Sequence, residues 1–217
     1  MCSIAIGRGK QVAVKGRSKS EQKRLQILDA AISLFTDLGY ANTSMDKIAV
    51  LAGVSKQTVY SHFENKEQLF VAAVGQKCIA HELTDVAFNV ERDLRETLLL
   101  VAIRFNELIL SDAAVKTYRT CVAQAETHPQ LGELFFQAGP KRVIAEVTNY
   151  LEKMCQRGAL KIAHVPNAAV QLLLMAQSRD RICVELGLAP VQTDAERLQY
   201  LTSCVDLFIQ GYSVNEA

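Results

Sequence analysis

Lys56, Gln57, Thr58, Tyr60, Ser61 and His62 crowd into one short stretch directly behind Ser55. Their ammonium, amide, hydroxyl and imidazole groups are polar ends long enough to reach base edges or phosphate oxygens. A lysine can meet guanine O6 and N7 or a phosphate, and a glutamine can pair bidentately with adenine. Thr58, Tyr60 and His62 have the reach for phosphate oxygens. Thr43 and Ser44 open the preceding helical run, where the helix dipole favours an anion. Lys66, a little further on, suits a second phosphate clamp. The chemistry these groups point to is recognition of duplex DNA rather than bond-making.

Stepping from those groups to their supports, the run Thr43–Lys66 reads as two short helices. Thr43 and Ser44 offer N-cap oxygens, and Met45, Ile48, Ala49 and Ala52 follow at helical spacing. Gly53 stops that helix, because a residue without Cβ takes the left-handed turn at no steric cost. Ser55 caps the second helix, whose Val59 and Phe63 share one face while Lys56, Gln57, Tyr60 and Ser61 share the other. Two helices joined this way form a helix-turn-helix whose second member can enter a major groove. Before it, a helix from about Ser18 or Ser20 carries Leu25, Leu28, Ile32, Phe35 and Leu38 and closes at Gly39. After it, Asn65 and Gln68 make a capping-box start for a helix running toward residue 80.

Charge follows the same division. Residues 1–77 hold 11 Lys and Arg against six Asp and Glu, whereas residues 78–217 hold 13 against 17. Residues 1–19 read as a flexible basic arm, the footprint of a polyanion partner when joined to such a motif. No apolar run approaches the length needed to cross a bilayer, and the N-terminus lacks the apolar core of a secretory signal, so a cytoplasmic protein is expected. Six cysteines stand at 2, 78, 121, 155, 183 and 204. No spacing among them suits a zinc module, and Cys78, Cys183 and Cys204 fall in apolar helical patterns where a thiol behaves as a small hydrophobe. No metal or cofactor is called for. The chain also lacks a nucleophile elbow, a Walker loop, a dinucleotide fingerprint and a zincin helix, which argues against an enzyme.

The run Ile27–Val74 resembles the DNA-binding domain of the TetR/AcrR family of bacterial transcriptional regulators. The likeness rests on A-x-x-L-F-x-x-x-G-Y from Ala31 to Tyr40, T-S-M-x-x-I-A from Thr43, A-G-V-S from Ala52 and T-V-Y-x-H-F-x-x-K from Thr58 to Lys66. Gln57 departs from the small residue or glycine that many members carry there, which bears on the operator sequence. Residues 128–160 are similar to a long helix of the AefR-like repressors. The resemblance implies an all-α fold, with a helix-turn-helix domain (20–66) followed by a helical ligand-binding and dimerisation domain (67–217). It assigns DNA contacts to the positions named above and an effector to the second domain.

Helical patterns continue through that second domain, over 92–110, 113–125, 131–156 with a break or kink at Gly139-Pro140, 167–186 and 194–211. No stretch alternates as a strand. Arg104, Phe105, Tyr118, Phe135, Phe136, Met175 and Arg179 are the candidates to line a ligand cavity of apolar walls and a few polar groups. The wide apolar faces of 167–186 and 194–211 suit the four-helix dimer interface that the resemblance implies. The expected function is a ligand-responsive homodimeric repressor released from its operator by an apolar or amphipathic molecule. The other reading is a nucleoid-bound factor of the same family that acts through a protein partner without an inducer.

Overall fold

Hydroxyl caps and glycine stops lay out the first third of the chain. The computed structural model describes residues 18–80 and 88–214. The basic arm therefore lies outside the described residues, apart from Ser18 and Lys19, which belong to the first helix. In α1 (Lys19–Asn42), Ser18 and Glu21 cap each other reciprocally, and Gly39 at φ 75° interrupts the helix where the sequence reading closes it. Ser44 caps α2 (Met45–Ala52) by accepting from the Lys47 amide, and Gly53 ends it at φ 65°. Ser55 caps α3 (Lys56–His62) through the Thr58 amide. Asn65 accepts from the Gln68 amide at the start of α4 (Lys66–Ala80), but the Gln68 side chain bonds Glu64, so only half of the expected capping box forms.

These four helices close on an apolar core of Ile27, Leu28, Ala31, Phe35, Ile48, Val59, Phe63, Leu69 and Phe70, all 4% exposed or less. Burial of Val59 and Phe63 fixes the roll of α3 and turns its polar residues outward. The same cluster takes in Cys121 and Leu131 from further along the chain, so the head's core does not stop at residue 66.

The body consists of α5 (Leu94–Leu110), α6 (Asp112–Ala123), α7 (Pro129–Ala138), α8 (Pro140–Gln156), α9 (Val165–Met175), α10 (Ser178–Glu185) and α11 (Asp194–Tyr212). Its core gathers Leu98, Val101, Val147, Leu151, Leu172, Leu201, Val205 and Phe208. Helix α8 packs on α9, and α11 packs on α5. Among the described residues there is no strand, only one antiparallel bridge between Leu160 and Ser213.

The expected single helix over 167–186 is two. Its pattern breaks at Ser178, whose φ of 61° is the left-handed region that L-residues seldom adopt. The cause is a residue far away in sequence. Asn106, 1% exposed on α5, donates its side-chain amide to the carbonyls of Ala176 (2.8 Å) and Gln177 (3.2 Å) and to the Ser178 hydroxyl (3.3 Å). A buried amide needs acceptors, and opening the helix supplies them.

Candidate nucleic-acid interface and effector cavity

On α3, Lys56, Gln57, Tyr60 and Ser61 are exposed along one face, as their spacing predicts. Thr58 is half-buried, its hydroxyl 2.8 Å from that of Ser55. His62 is half-buried beside Phe63, the rings 6.5 Å apart. Lys56 pairs with Asp46 of α2 at 2.8 Å, and the carboxylate holds its ammonium above the ordinary lysine value. That ion pair is exposed, so a phosphate or guanine can displace the carboxylate at little cost.

Two of the proposed phosphate ligands serve the fold instead. Thr43 is the C-cap of α1, not the N-cap of α2. It is 2% exposed, and its hydroxyl donates to the carbonyls of Gly39 (2.8 Å) and Leu34 (3.1 Å), so it closes the end of α1 and does not face solvent. Lys66 donates to the carbonyls of Tyr40 (2.9 Å) and Thr43 (3.1 Å) and sits over the Tyr40 ring at 4.1 Å. Desolvation at this site pulls its ammonium below the ordinary lysine value. Lys66 thereby ties α4 to the turn between α1 and α2. Tyr40 in turn donates to Glu67 (2.9 Å), and burial first, then that bond, pushes its hydroxyl well above the usual phenol value.

The Tyr40 ring belongs to an aromatic triad. It stacks on Phe35 (5.7 Å) and meets Phe70 edge-on (5.3 Å), and Phe35 meets Phe70 edge-on at 5.3 Å. The far side of this triad borders a cavity of about 320 Å³ between head and body. Three of the seven residues expected to line it do so: Phe105, Tyr118 and Phe135. Arg104 instead pairs with Glu107 along α5, and Phe136 is 46% exposed. Met175 packs against the body core, its carbonyl accepting the Tyr200 hydroxyl, and Arg179 is exposed. Arg179 follows the break at Ser178, which changes which side chains of the second segment face inward.

The sequence reading missed the wall that the head contributes. Phe35 of α1 and Phe70, Ala73 and Val74 of α4 line the cavity. Their helical spacing marks them as core, and they are core on one side and cavity wall on the other. It also missed Gln177, Arg181 and Glu185. Arg181 is 8% exposed, donates to Glu185 (2.5 Å) and to the Ile109 carbonyl (2.6 Å), and lies over the Tyr118 ring at 4.5 Å. An arginine inside an apolar helical stretch was the available signal.

Across the body, Leu174 of α9, Ile182 of α10, Leu186 just after it, and Leu198 and Leu207 of α11 are all at least 47% exposed. Among the described residues no group of three His, Cys, Asp or Glu gathers as a metal site, and no helix is long and apolar enough to cross a membrane.

A helix-turn-helix head with an outward polar helix face, joined to a helical body, is the build of a DNA-binding regulator. Comparison with known proteins gives its family. Residues 27–73 match the family model of bacterial regulatory proteins of the tetR family, and residues 96–214 match that of the AefR-like transcriptional repressor C-terminal domain. The chain belongs to the TetR family of transcriptional regulators. It is 52% identical over 50 residues to the uncharacterized HTH-type transcriptional regulator YhgD of Bacillus subtilis (strain 168). That stretch is 23% of this chain and spans 26% of YhgD, about a quarter of the relative's length. The crystal structure of a TetR-family regulator from Mesorhizobium loti superposes with a TM-score of 0.74 at 28% identity, over 91% of this chain and all of that one. The flavonoid-responsive regulator FrrA does so with a TM-score of 0.70 at 26% identity, again over 91% of this chain and all of that one. Regulators of this family bind operator DNA and small-molecule ligands and are dimers.

Proposed function

We propose that this protein is a homodimeric repressor that loses its operator when a small amphipathic molecule enters the cavity between head and body. The observation that carries the reading is the shared wall: Phe35 and Phe70 belong both to the core that positions α3 and to the lining of the cavity. An occupant that overfills the cavity presses on them and shifts α1 and α4, and interiors packed to crystal-like density pass on such a shift rather than absorb it. In the dimer the two copies of α3 must meet major grooves about one turn apart, roughly 34–36 Å, so a small displacement of α4 costs operator affinity. Gln57 and Lys56 read bases, while Ser44, Thr58, Tyr60, Ser61 and His62 meet phosphates or pack beside them. Thr43 and Lys66 hold the turn from which α2 starts. The partner copy docks through residues 167–211, where α9–α11 leave their apolar side chains exposed. A planar aromatic effector of the sort implied by FrrA's flavonoid response suits the rings of Phe105, Tyr118 and Phe135.

The test is a pair of titrations. Operator sequences are selected from random duplex DNA with the full chain, and candidate aromatic compounds are then titrated with and without that DNA. Linkage requires an inducer to bind DNA-free protein more tightly, by about 1–3 kcal/mol, and the DNA to lose affinity by the same factor. Equal affinities across a broad library would sink the ligand-responsive reading and leave a constitutive DNA binder.

A further inference from the structure

The cavity is lined mainly by apolar side chains, and its charged lining residues are Arg181 and Glu185. Arg181 enters it from α10 with its side chain nearly withdrawn from solvent, at 10% exposure. A buried guanidinium carries five N–H donors and is stable only where acceptors meet them. Here Nη1 donates to the Ile109 carbonyl and Nε to a single oxygen of Glu185. Among the described residues nothing accepts from Nη2. Nε and Nη2 together form the edge of the guanidinium that takes a carboxylate through two parallel bonds. Glu185 occupies half of that edge, and its own side chain is 30% exposed, so it is free to turn outward.

The vacant half is a charged N–H donor, and an anionic oxygen is the acceptor that suits it. Arg119 donates to the carbonyls of Glu185 (2.9 Å) and Val184 (2.5 Å), placing a second guanidinium at the same turn. Arg119 does not itself line the cavity, and beside Arg181 α10 also buries Asp180, whose carboxylate accepts from the Val191 and Gln192 amides. The remaining wall offers the rings of Phe105, Tyr118 and Phe135, which favour a flat apolar body over a polar one.

We infer that the effector is an aryl or arylalkyl carboxylate, its ring among Phe105, Tyr118 and Phe135 and its carboxylate on the Nε–Nη2 edge of Arg181 in place of Glu185. This rests on the effector-cavity reading above and names its ligand class. The helix break at Ser178 is what makes the assignment available, because it turns Arg181 inward beside Tyr118 and leaves Arg179 outside.

The experiment uses the full-length protein and three probes of one shape: 6-phenylhexanoate, its methyl ester and 6-phenylhexylamine, followed by calorimetric titration. The acid is expected to bind at least tenfold more tightly than the ester or the amine. In Arg181→Lys, which keeps the charge but loses the two-pronged edge, the acid weakens about tenfold and the ester is unchanged. In Glu185→Gln, which removes the competing carboxylate and keeps the side chain's shape, the acid strengthens severalfold. Ester or amine binding as tightly as the acid overturns the carboxylate assignment while leaving the cavity as an effector site. An unchanged acid affinity in both variants overturns the role of Arg181 in the same way. Failure of all three probes to bind overturns the effector cavity itself, and this assignment with it.

Discussion

Single side chains on the head divide into readers and holders. Gln57 is a reader, exposed on α3 with an amide that matches adenine. Replacing it with alanine is expected to relax base preference at one operator position by roughly 1–3 kcal/mol, the worth of a bidentate base contact. Affinities for a set of single-base operator variants check this, and a uniform loss across the set would remove Gln57 from the readers. Thr43 is a holder. Thr43→Val keeps the shape but leaves two buried carbonyls without their donor, so unfolding in urea should move by about 1–3 kcal/mol. An unchanged midpoint, with weakened DNA binding, would return Thr43 to the phosphate contacts. The sequence could name both residues but not separate them. Spacing places a hydroxyl at a helix boundary, and only the folded turn decides whether it caps the helix behind it or the one ahead.

At the scale of elements, local signals carried most of the helices. Ser44 and Ser55 cap as expected and Ser18 caps α1 at one of its two expected starts, while Gly39, Gly53, Gly158 and Gly187 take positive φ at or near helix ends. The turn at Gly139-Pro140 separates α7 from α8, as a proline without an amide proton requires. What local pattern could not contain is the break between α9 and α10, because its cause is Asn106, some 70 positions earlier. That one omission also misplaced part of the cavity, exchanging Arg181 for Arg179. Asn106→Ala should strand the carbonyls of Ala176 and Gln177, at about 1–3 kcal/mol for each buried acceptor. Thermal unfolding measures the cost. A change under about 0.5 kcal/mol, the scale of an ordinary surface substitution, would show that the break stands without Asn106.

Across the whole molecule, large apolar side chains of the last helices remain exposed. Ile182, Leu186 and Leu207 are 62–72% exposed, apolar surface that a partner would withdraw from water. Covering it with a second copy predicts a mass twice the 23.9 kDa of the chain in light scattering. Leu207→Glu combined with Ile182→Glu should halve that mass and cost operator affinity, since one head alone meets one half-site. A variant that stayed dimeric would move the interface off these helices. Lys66→Ala acts through the fold and belongs to this scale as well. Losing its bonds to Tyr40 and Thr43 should lower stability and weaken binding to every DNA sequence alike, and a sequence-dependent loss would contradict that.

The cavity takes residues from α1 and α4 but none from α2 or α3, and this sets how the protein can be re-engineered. Transplanting only the outward residues of α3 from a relative should re-address the protein to a new promoter and leave its chemical trigger intact. Transplanting the entire head carries a foreign residue 35 into the cavity wall, so such chimeras should find their new promoter yet answer poorly to the old compound. Address and trigger are separable in this molecule along the surface of one helix, not along the border between its two halves.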